Sequence, residues 1–351
     1  MIFKKQSILL ALAFLFAVLL IHFSDQLSKN WIKTLIFTLQ GKTTNPIIID
    51  DNGIPFIDYQ QDIGLQRNPV TIADVSIKFY DEYHKNGDLV AKQKFLNDAN
   101  WLVQNAVAHN NYSIFEYKFP SRSYNLTPPW HSGMAQGLAL RNLMKAYELT
   151  GNDVYLQSGN RIVNAFYVEV RDGGVTYKNQ DGWWYEEYAG INGKEPHVLN
   201  GMMYALIDVY NYYVYTNNTN AKYIFDRGIQ ALKSNIQKYD DPDNSGYTYY
   251  DLLGNPAWDY QIVHVNLANK LYEITGDEVF KQYSKKWQKF RDISSFGAWL
   301  KHPTNVRFVS LVGNIIALHI ILNILTIRIV RKKVGLVLNL AITRLRPFRS
   351  K

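Results

Sequence analysis

Residues 146–157 read AYELTGNDVYLQ and residues 271–282 read LYEITGDEVFKQ, matching at most positions by identity or by a close apolar substitute. Each stretch reads as one helix ending at a Gly and a second starting at an acidic N-cap region. Weaker copies occur at 80–91 (YDEYHKNGDLVA) and 213–224 (YVYTNNTNAKYI). The turns fall near residues 87, 151, 218 and 276, a period of roughly 58–67 residues. Each unit predicts a helical hairpin with a tight turn. Such units cannot bury their apolar faces alone and stack to share a continuous core.

Long aromatic connections separate the hairpins: 109–131, 171–197 and 240–258, with 41–70 in the same position before the first. Gly, Pro and Asn punctuate them, and their alternating aromatics predict short β-hairpins. If the tight turns share one end of the array, these loops share the other. That geometry is mainly α: an incomplete α/α toroid of helical hairpins crowned by loops. An open solenoid fits the same repeat. Loops on a rigid scaffold are the usual place for a site.

Composition narrows the chemistry. The chain has 351 residues, 47% hydrophobic and 19% charged, so it is neither disordered nor collagen-like. It has no Cys, which excludes a disulfide scaffold, a thiol nucleophile and a Cys-ligated metal. The net charge of +8 is terminal. Lys4, Lys5, Arg328, Arg331, Lys332, Lys333, Arg344, Arg346, Arg349 and Lys351 leave 28 basic residues against 30 acidic ones, a net near −2 for the rest. A nucleic-acid binder should carry its basic patch on the folded body, so nucleic acid is not the expected partner. The sequence has no P-loop, no G-x-S-x-G, no H-E-x-x-H and no strand-following G-x-G-x-x-G, leaving ATP, nicotinamide and zinc chemistry without support. What remains is acid/base work by carboxylates and phenols among aromatic platforms, a set suited to sugar rings. Residues 241–246 (DPDNSG) resemble the start of a calcium loop, but Leu252 stands where the bidentate Glu belongs, so a turn is expected. Glycosylation sequons occur at Asn111, Asn125 and Asn217.

The two ends read as membrane segments. Residues 8–23 form an apolar run after MIFKK, with no small-residue cleavage site following, and 308–327 form a second. The expected organisation is an anchor at 1–23, a juxtamembrane linker at 24–52, a helical domain at 53–295, a second span at 306–330 and a basic tail at 331–351. Two spans with basic flanks place both termini in the cytoplasm and the body outside it. Residues 27–39 have helical apolar spacing, and 334–345 read as an interfacial helix. Asn314, His319 and Asn323 interrupt the second span. They read either as polar contacts with a partner helix or as an imperfectly apolar anchor.

The body resembles a known family. PWHSGMAQG (129–137), WYEEY (184–188), VLNGMMYALIDVY (198–210), SGYTYYDL (245–252) and WDYQIVHVNL (258–267) occur in the order of the catalytic domain of D-glucuronyl C5-epimerase. The upstream GIPFIDYQQDIGLQRNPVTIADVSIKFYDEY (53–83) is also similar to that family, so the resemblance covers about 53–290. It implies an α/α barrel that converts glucuronate to iduronate within a polymer, without nucleotide, redox cofactor or metal. It places the catalytic positions on Glu187, Tyr188, Tyr250 and Tyr260, and a substrate contact on Asn200. Trp130, Gln136, Trp184 and Trp258 are the further binding candidates, with Trp183 as another platform and Arg122, Arg141 and Lys178 as carboxylate partners. His264, one helical turn after Tyr260, would face it and supply the cation or hydrogen bond a phenol needs to act as a base. The implied partners are an anionic uronate polysaccharide, a membrane and, as often in the family, a second copy of the chain. Leu253 stands where animal members carry Arg, and their large N-terminal β-rich region is missing, which leaves the polymer open. A uronate lyase or hydrolase on the same scaffold, or a non-catalytic glycan binder, are the rival readings.

Overall fold

The computed structural model describes residues 2–39, 47–59, 62–241, 246–257, 260–292, 296–297, 300 and 305–344. The chain divides into two units, one of residues 45–290 and one of 1–44 with 291–351.

Four hairpins build the first unit: α2 (Pro69–Asn86) with α3 (Leu89–Asn105), α4 (Gly133–Thr150) with α5 (Val154–Asn164), α6 (Leu199–Thr216) with α7 (Thr219–Asn235), and α8 (Gln261–Thr275) with α9 (Glu278–Asp292). The first helix of each pair ends at Gly87, Gly151, Asn217 or Gly276, all left-handed with φ between 56 and 71°. Each of these residues returns its N–H to a tyrosine carbonyl four residues back, at Tyr83, Tyr147, Tyr213 and Tyr272. The second helix then starts on a side-chain acceptor. Asp88, Asn152, Asn218 and Asp277 accept from Val90, Val154, Ala221 and Val279 at 2.8–3.1 Å. The repeat therefore marks true helix boundaries.

Helices α2, α4, α6 and α8 pack in that order as an inner row, with α3, α5 and α7 against them. Helices α4 and α6 lie in the middle of the row and are buried on nearly every side, Gly133–Leu140 without interruption. Gly137 permits their close approach, since a Cβ there would lie 2.7 Å from the Ala205 Cα. The expected loop hairpins are present. β4 (Val107–Ala108) pairs with β5 (Ser113–Ile114), and β6 (Thr176–Asn179) with β7 (Gly182–Tyr185), both antiparallel. β1 (Ile47–Ile49), β2 (Pro55–Asp58) and β3 (Leu65–Gln66) form a small antiparallel sheet before α2. The connections between hairpins lie at the end opposite the tight turns and carry the site.

The second unit holds α1 (Ile2–Leu39) and α10 (Asn305–Arg344). Both contain a window long and apolar enough to cross a membrane: Lys5–Phe23, mean hydropathy 2.3, and Phe308–Ile329, 2.2. Neither helix stops where the sequence reading placed its boundary. α1 runs on through residues 24–39, a linker of which 27–39 was read as helical, and α10 through 334–344, read as a separate helix. Two of the three interrupting polar residues of α10 bond to α1. Asn314 accepts from the Trp31 indole at 2.8 Å, and Asn323 from the Gln6 amide at 3.1 Å. Their partner helix belongs to the same chain.

Candidate functional site

A cavity of about 490 Å³ opens among the loops of residues 45–290. The strand β7 and the residues after it build one wall. Alternate side chains of an extended segment face opposite ways. Tyr185 turns into the core, where its hydroxyl donates to the Ile224 carbonyl at 2.5 Å. Glu186 is fully buried behind the cavity. One of its oxygens accepts from the Glu187 N–H at 3.0 Å, and the other from the N–H and Nδ1 of His197 at 2.9 and 2.7 Å. Glu187 then lines the cavity, with its carboxyl against Gly201 in the first turn of α6. A Cβ at Gly201 would meet the Glu187 Oε2 at 2.3 Å, so the carboxyl needs glycine there. That oxygen is buried and has no hydrogen-bond partner among the described residues. Burial pushes the Glu187 carboxyl up to about 8, the Glu186 charge adds to the shift, and the Tyr188 hydroxyl opposes it. Neighbouring Asn200 also lines the cavity, and its Oδ1 is buried and unpartnered among the described residues.

Tyr188 sits in an aromatic stack. Its ring lies 5.5 Å from Trp130 and 4.6 Å from Tyr124, and Trp130 lies flat on Tyr117 at 3.9 Å. The Trp130 indole is held by the Phe119 carbonyl at 2.7 Å. Tyr260, at the start of α8, lines the cavity and is 44% exposed. Its ring centre is 4.9 Å from that of Tyr250. Tyr250 is positioned by the Asp251 carboxylate, which accepts from the N–H groups of Leu253 and Asn255 and from the Tyr124 hydroxyl. Burial raises the Tyr250 phenol, and the Glu187 charge adds to that. Glu187, Tyr188, Tyr250 and Tyr260 are thus brought together, with Asn200 and Trp130 beside them.

The opposite wall contains residues the sequence reading did not single out. Asn68 caps α2 through the Val70 and Thr71 N–H groups, accepts from the Tyr117 hydroxyl at 3.1 Å and donates to the Tyr59 oxygen at 2.7 Å. The Asn–Pro pair at 68–69 is a helix-start signal and marked this position. Tyr59, Tyr117, Asp74 and Tyr204 also line the cavity, and nothing local in the sequence distinguishes them from other residues of their types. Arg122 lines it too and is ion-paired with Asp62.

Other expected contacts lie elsewhere. Gln136 is fully buried, and its amide is spent on the Phe115 N–H and the Ser113 carbonyl, so it anchors β5 to α4. Trp184 is buried and stacks on Tyr239 at 5.9 Å rather than on the cavity. Trp183 packs with Tyr167 and Tyr223, under the Lys178 ammonium. Arg141 lies behind Asp74, at 3.4 Å. His264 does not face Tyr260. It is fully buried, held by the Thr248 hydroxyl at 2.9 Å, and burial pulls its imidazole down to about 3. It stays neutral and cannot serve Tyr260 as a cation. Trp258 and residues 242–245 of the calcium-like stretch lie outside the described residues. Among the described residues no three His, Asp or Glu converge to hold a metal.

Comparisons with known proteins bear on this geometry. The profile of the family described as D-glucuronyl C5-epimerase C-terminus matches residues 109–289, just over half of the chain. An uncharacterized protein of Methanocaldococcus jannaschii is 29% identical over 271 residues, 71% of this chain and 86% of that one. The D-glucuronyl C5-epimerase of Caenorhabditis elegans is 31% identical over 248 residues, 62% of this chain but 39% of the worm protein. Among solved structures, the cellobiose 2-epimerase of Bacillus thermoamylovorans is similar with a TM-score of 0.49 at 13% identity, over 76% of this chain and 80% of that one. That likeness is too distant to carry an argument.

Proposed function

We propose that this chain, which belongs to the D-glucuronyl C5-epimerase C-terminal family and is an enzyme of the epimerase type, inverts C5 of glucuronate residues within a polysaccharide. The observation that carries the reading is the convergence of Glu187, Tyr188 and Tyr260 on one cavity, with Tyr250 against Tyr260. Inversion needs two proton-transfer groups on opposite faces of the sugar. Each such step contributes about 10²–10⁴-fold.

Glu187 serves one face and Tyr260 the other. Burial holds the Glu187 carboxyl up to about 8, so the carboxylate that can take a proton is the minor form at neutral pH and grows as pH rises. The forward reaction starts from Glu187 in that carboxylate form and Tyr260 with its hydroxyl proton in place. Glu187 takes the C5 proton, and the C–H electron pair moves into the adjacent carboxylate to give an enediolate. The Tyr260 hydroxyl then delivers its proton to C5 from the other side as that electron pair returns. This leaves Glu187 protonated and Tyr260 as phenolate, and solvent resets both, since Tyr260 is partly exposed. The reverse reaction uses the same groups in exchanged roles.

The enediolate needs donors aimed at its growing charge. Among the described lining residues the one cation, Arg122, is neutralised by Asp62. The hydroxyls of Tyr188 and Tyr250 and the Asn200 amide fill that role instead. The two apolar helices anchor the enzyme in a membrane, with the basic ends in the cytoplasm and the body outside it, next to glycan assembled there.

Tyr260→Phe removes one oxygen and little volume. It is expected to lower iduronate formation by at least about a hundredfold, read by NMR with oligosaccharide binding retained. Iduronate formed at the wild-type rate removes Tyr260 from the chemistry.

A further inference from the structure

Asn68 is the point where the start of α2, Tyr117 and Tyr59 meet, and its hydrogen bonds run in one sense only. As the N-cap of α2, its Oδ1 accepts from the Val70 and Thr71 N–H groups at 2.9 and 3.4 Å. A backbone N–H can only donate, so these two bonds fix which end of the side-chain amide is oxygen. The Tyr117 hydroxyl, 3.1 Å from the same oxygen, therefore donates to it. Nδ2 is left to donate to the Tyr59 oxygen at 2.7 Å.

The two tyrosines come out of this with opposite hands. Tyr117 spends its one hydroxyl proton on Asn68. Tyr59 accepts a hydrogen bond there and keeps its own proton. Among the described residues no acceptor takes that proton, and Tyr59 lines the cavity beside Glu187. Burial pushes the Tyr59 phenol up and the Asn68 bond opposes the shift, so the hydroxyl stays protonated at neutral pH. From Tyr117 through Asn68 to Tyr59 the bonds all point one way. Each polarises the next, which makes the last hydroxyl a stronger donor.

The Tyr59 ring is also held in place. Tyr59 directly follows β2, and its N–H closes a turn on the Gly64 carbonyl at 3.0 Å, with Gly64 left-handed at φ 63°. Its ring lies 4.6 Å from that of Phe119, whose carbonyl holds the Trp130 indole. The free hydroxyl thus sits at the edge of the aromatic wall formed by Tyr117, Trp130 and Tyr188. A flat apolar wall with a fixed donor at its edge suits the apolar face and an edge oxygen of a sugar ring.

We propose that Tyr59 is a substrate-binding residue that donates its hydroxyl proton to an oxygen of the sugar in the cavity, and that Asn68 is the positioning residue that leaves this proton free. The proposal rests on the epimerase reading above for its substrate. It gives the N-cap of α2 a second task, that of setting the sense of a hydrogen bond in the site.

The test uses the full chain in detergent micelles and an unsulfated hexasaccharide that alternates glucuronate with N-acetylhexosamine. Affinity is followed by saturation-transfer NMR, and turnover by iduronate formation on the same samples. Tyr59→Phe should weaken binding and raise KM by about fivefold, with kcat changed by less than about twofold. Asn68→Ser keeps a capping oxygen for α2 and adds no charge, but has no amide to donate to Tyr59, whose proton can then turn back to the cap. It should weaken binding by a similar factor alone and by little in the Tyr59→Phe background, because both changes remove one and the same bond to the sugar. Unchanged affinity in Tyr59→Phe, a loss of kcat without a rise in KM, or additive effects in the double variant would overturn the proposal. No binding by wild type would overturn it together with the epimerase reading. Affinity lost in the variants, with no iduronate formed by wild type, would sustain the Tyr59 donor and sink the epimerase reading.

Discussion

The two adjacent carboxyls of the WYEEY stretch do different work. Glu186 accepts three N–H hydrogen bonds and faces His197, while Glu187 is left with an unpartnered oxygen. Removing the Glu186 charge favours ionisation of Glu187. Glu186→Gln should therefore shift the limb of the pH–rate profile set by Glu187 from about 8 to lower pH, by about one unit. An unmoved limb would mean that burial alone sets it. Asp98 makes a second case, away from the site. It is fully buried on α3, and neither oxygen has a partner among the described residues. Burial raises it to about 8, with the Asp50 charge adding and Arg67 opposing. The folded value lies above the unfolded one, so folding takes up a proton between about 4 and 8 and stability falls as pH rises through that window. Asp98→Asn should match wild type in melting temperature near the acid end and exceed it increasingly towards the alkaline end. A gap that does not change with pH would contradict this. The identities of Glu187, Tyr188, Tyr250, Tyr260, Asn200 and Trp130 were readable from motif order. The direction each side chain faces was not. Trp184 and Glu187 are three residues apart on extended chain and so face opposite ways, but which face meets the cavity is set by packing beyond the strand, Trp184 against Tyr239. His264 follows Tyr260 by one turn, but Tyr260 sits at the helix cap and His264 is already inside the core. Tyr59, Asn68 and Tyr117 join the site only by long-range packing, which no local pattern encodes.

Helix boundaries follow from local chemistry, and four of them were readable because Gly87, Gly151, Asn217 and Gly276 adopt a conformation that most side chains resist. The terminal helices were read in separate pieces, 8–23 and 27–39 at one end and 308–327 and 334–345 at the other, and each pair is one continuous helix. No Gly or Pro occurs between residues 2 and 39, and no Pro between 305 and 344, so nothing in those sequences stops a helix once it leaves the apolar window. The contact between α4 and α6 rests on Gly137, whose missing side chain lets the Ala205 backbone approach. Gly137→Val forces the two helices apart and should cost about 1–3 kcal/mol, read as a lower denaturant midpoint at unchanged slope. Gly137→Ala, one methyl added in the same place, should fall between that variant and wild type. Equal midpoints for all three would show that the helices can separate freely. The same helix pair positions Glu187 through Gly201, so the valine variant should also weaken C5 exchange beyond its effect on stability.

At the scale of the whole molecule, the surplus positive charge lies at the two ends, and the body between them is near neutral with a slight negative balance. The cavity matches that balance: it offers hydroxyls and amides instead of a basic groove. The account therefore predicts a glycan of low charge density, held by shape, stacking and neutral donors. The apolar terminal helices, the hairpin array and the loop crown were all foreshadowed by hydropathy and by the repeat. The central claim is inversion at C5, and it is tested most directly by incubating the full chain in detergent with an unsulfated, alternating glucuronate polymer in deuterated water. The account predicts deuterium at C5 and new iduronate signals by NMR, with the chain length unchanged and no ultraviolet absorbance from unsaturated ends, and loss of both signals in Glu187→Gln. Unsaturated ends, a shortened chain, or C5 exchange undiminished in Glu187→Gln would contradict it.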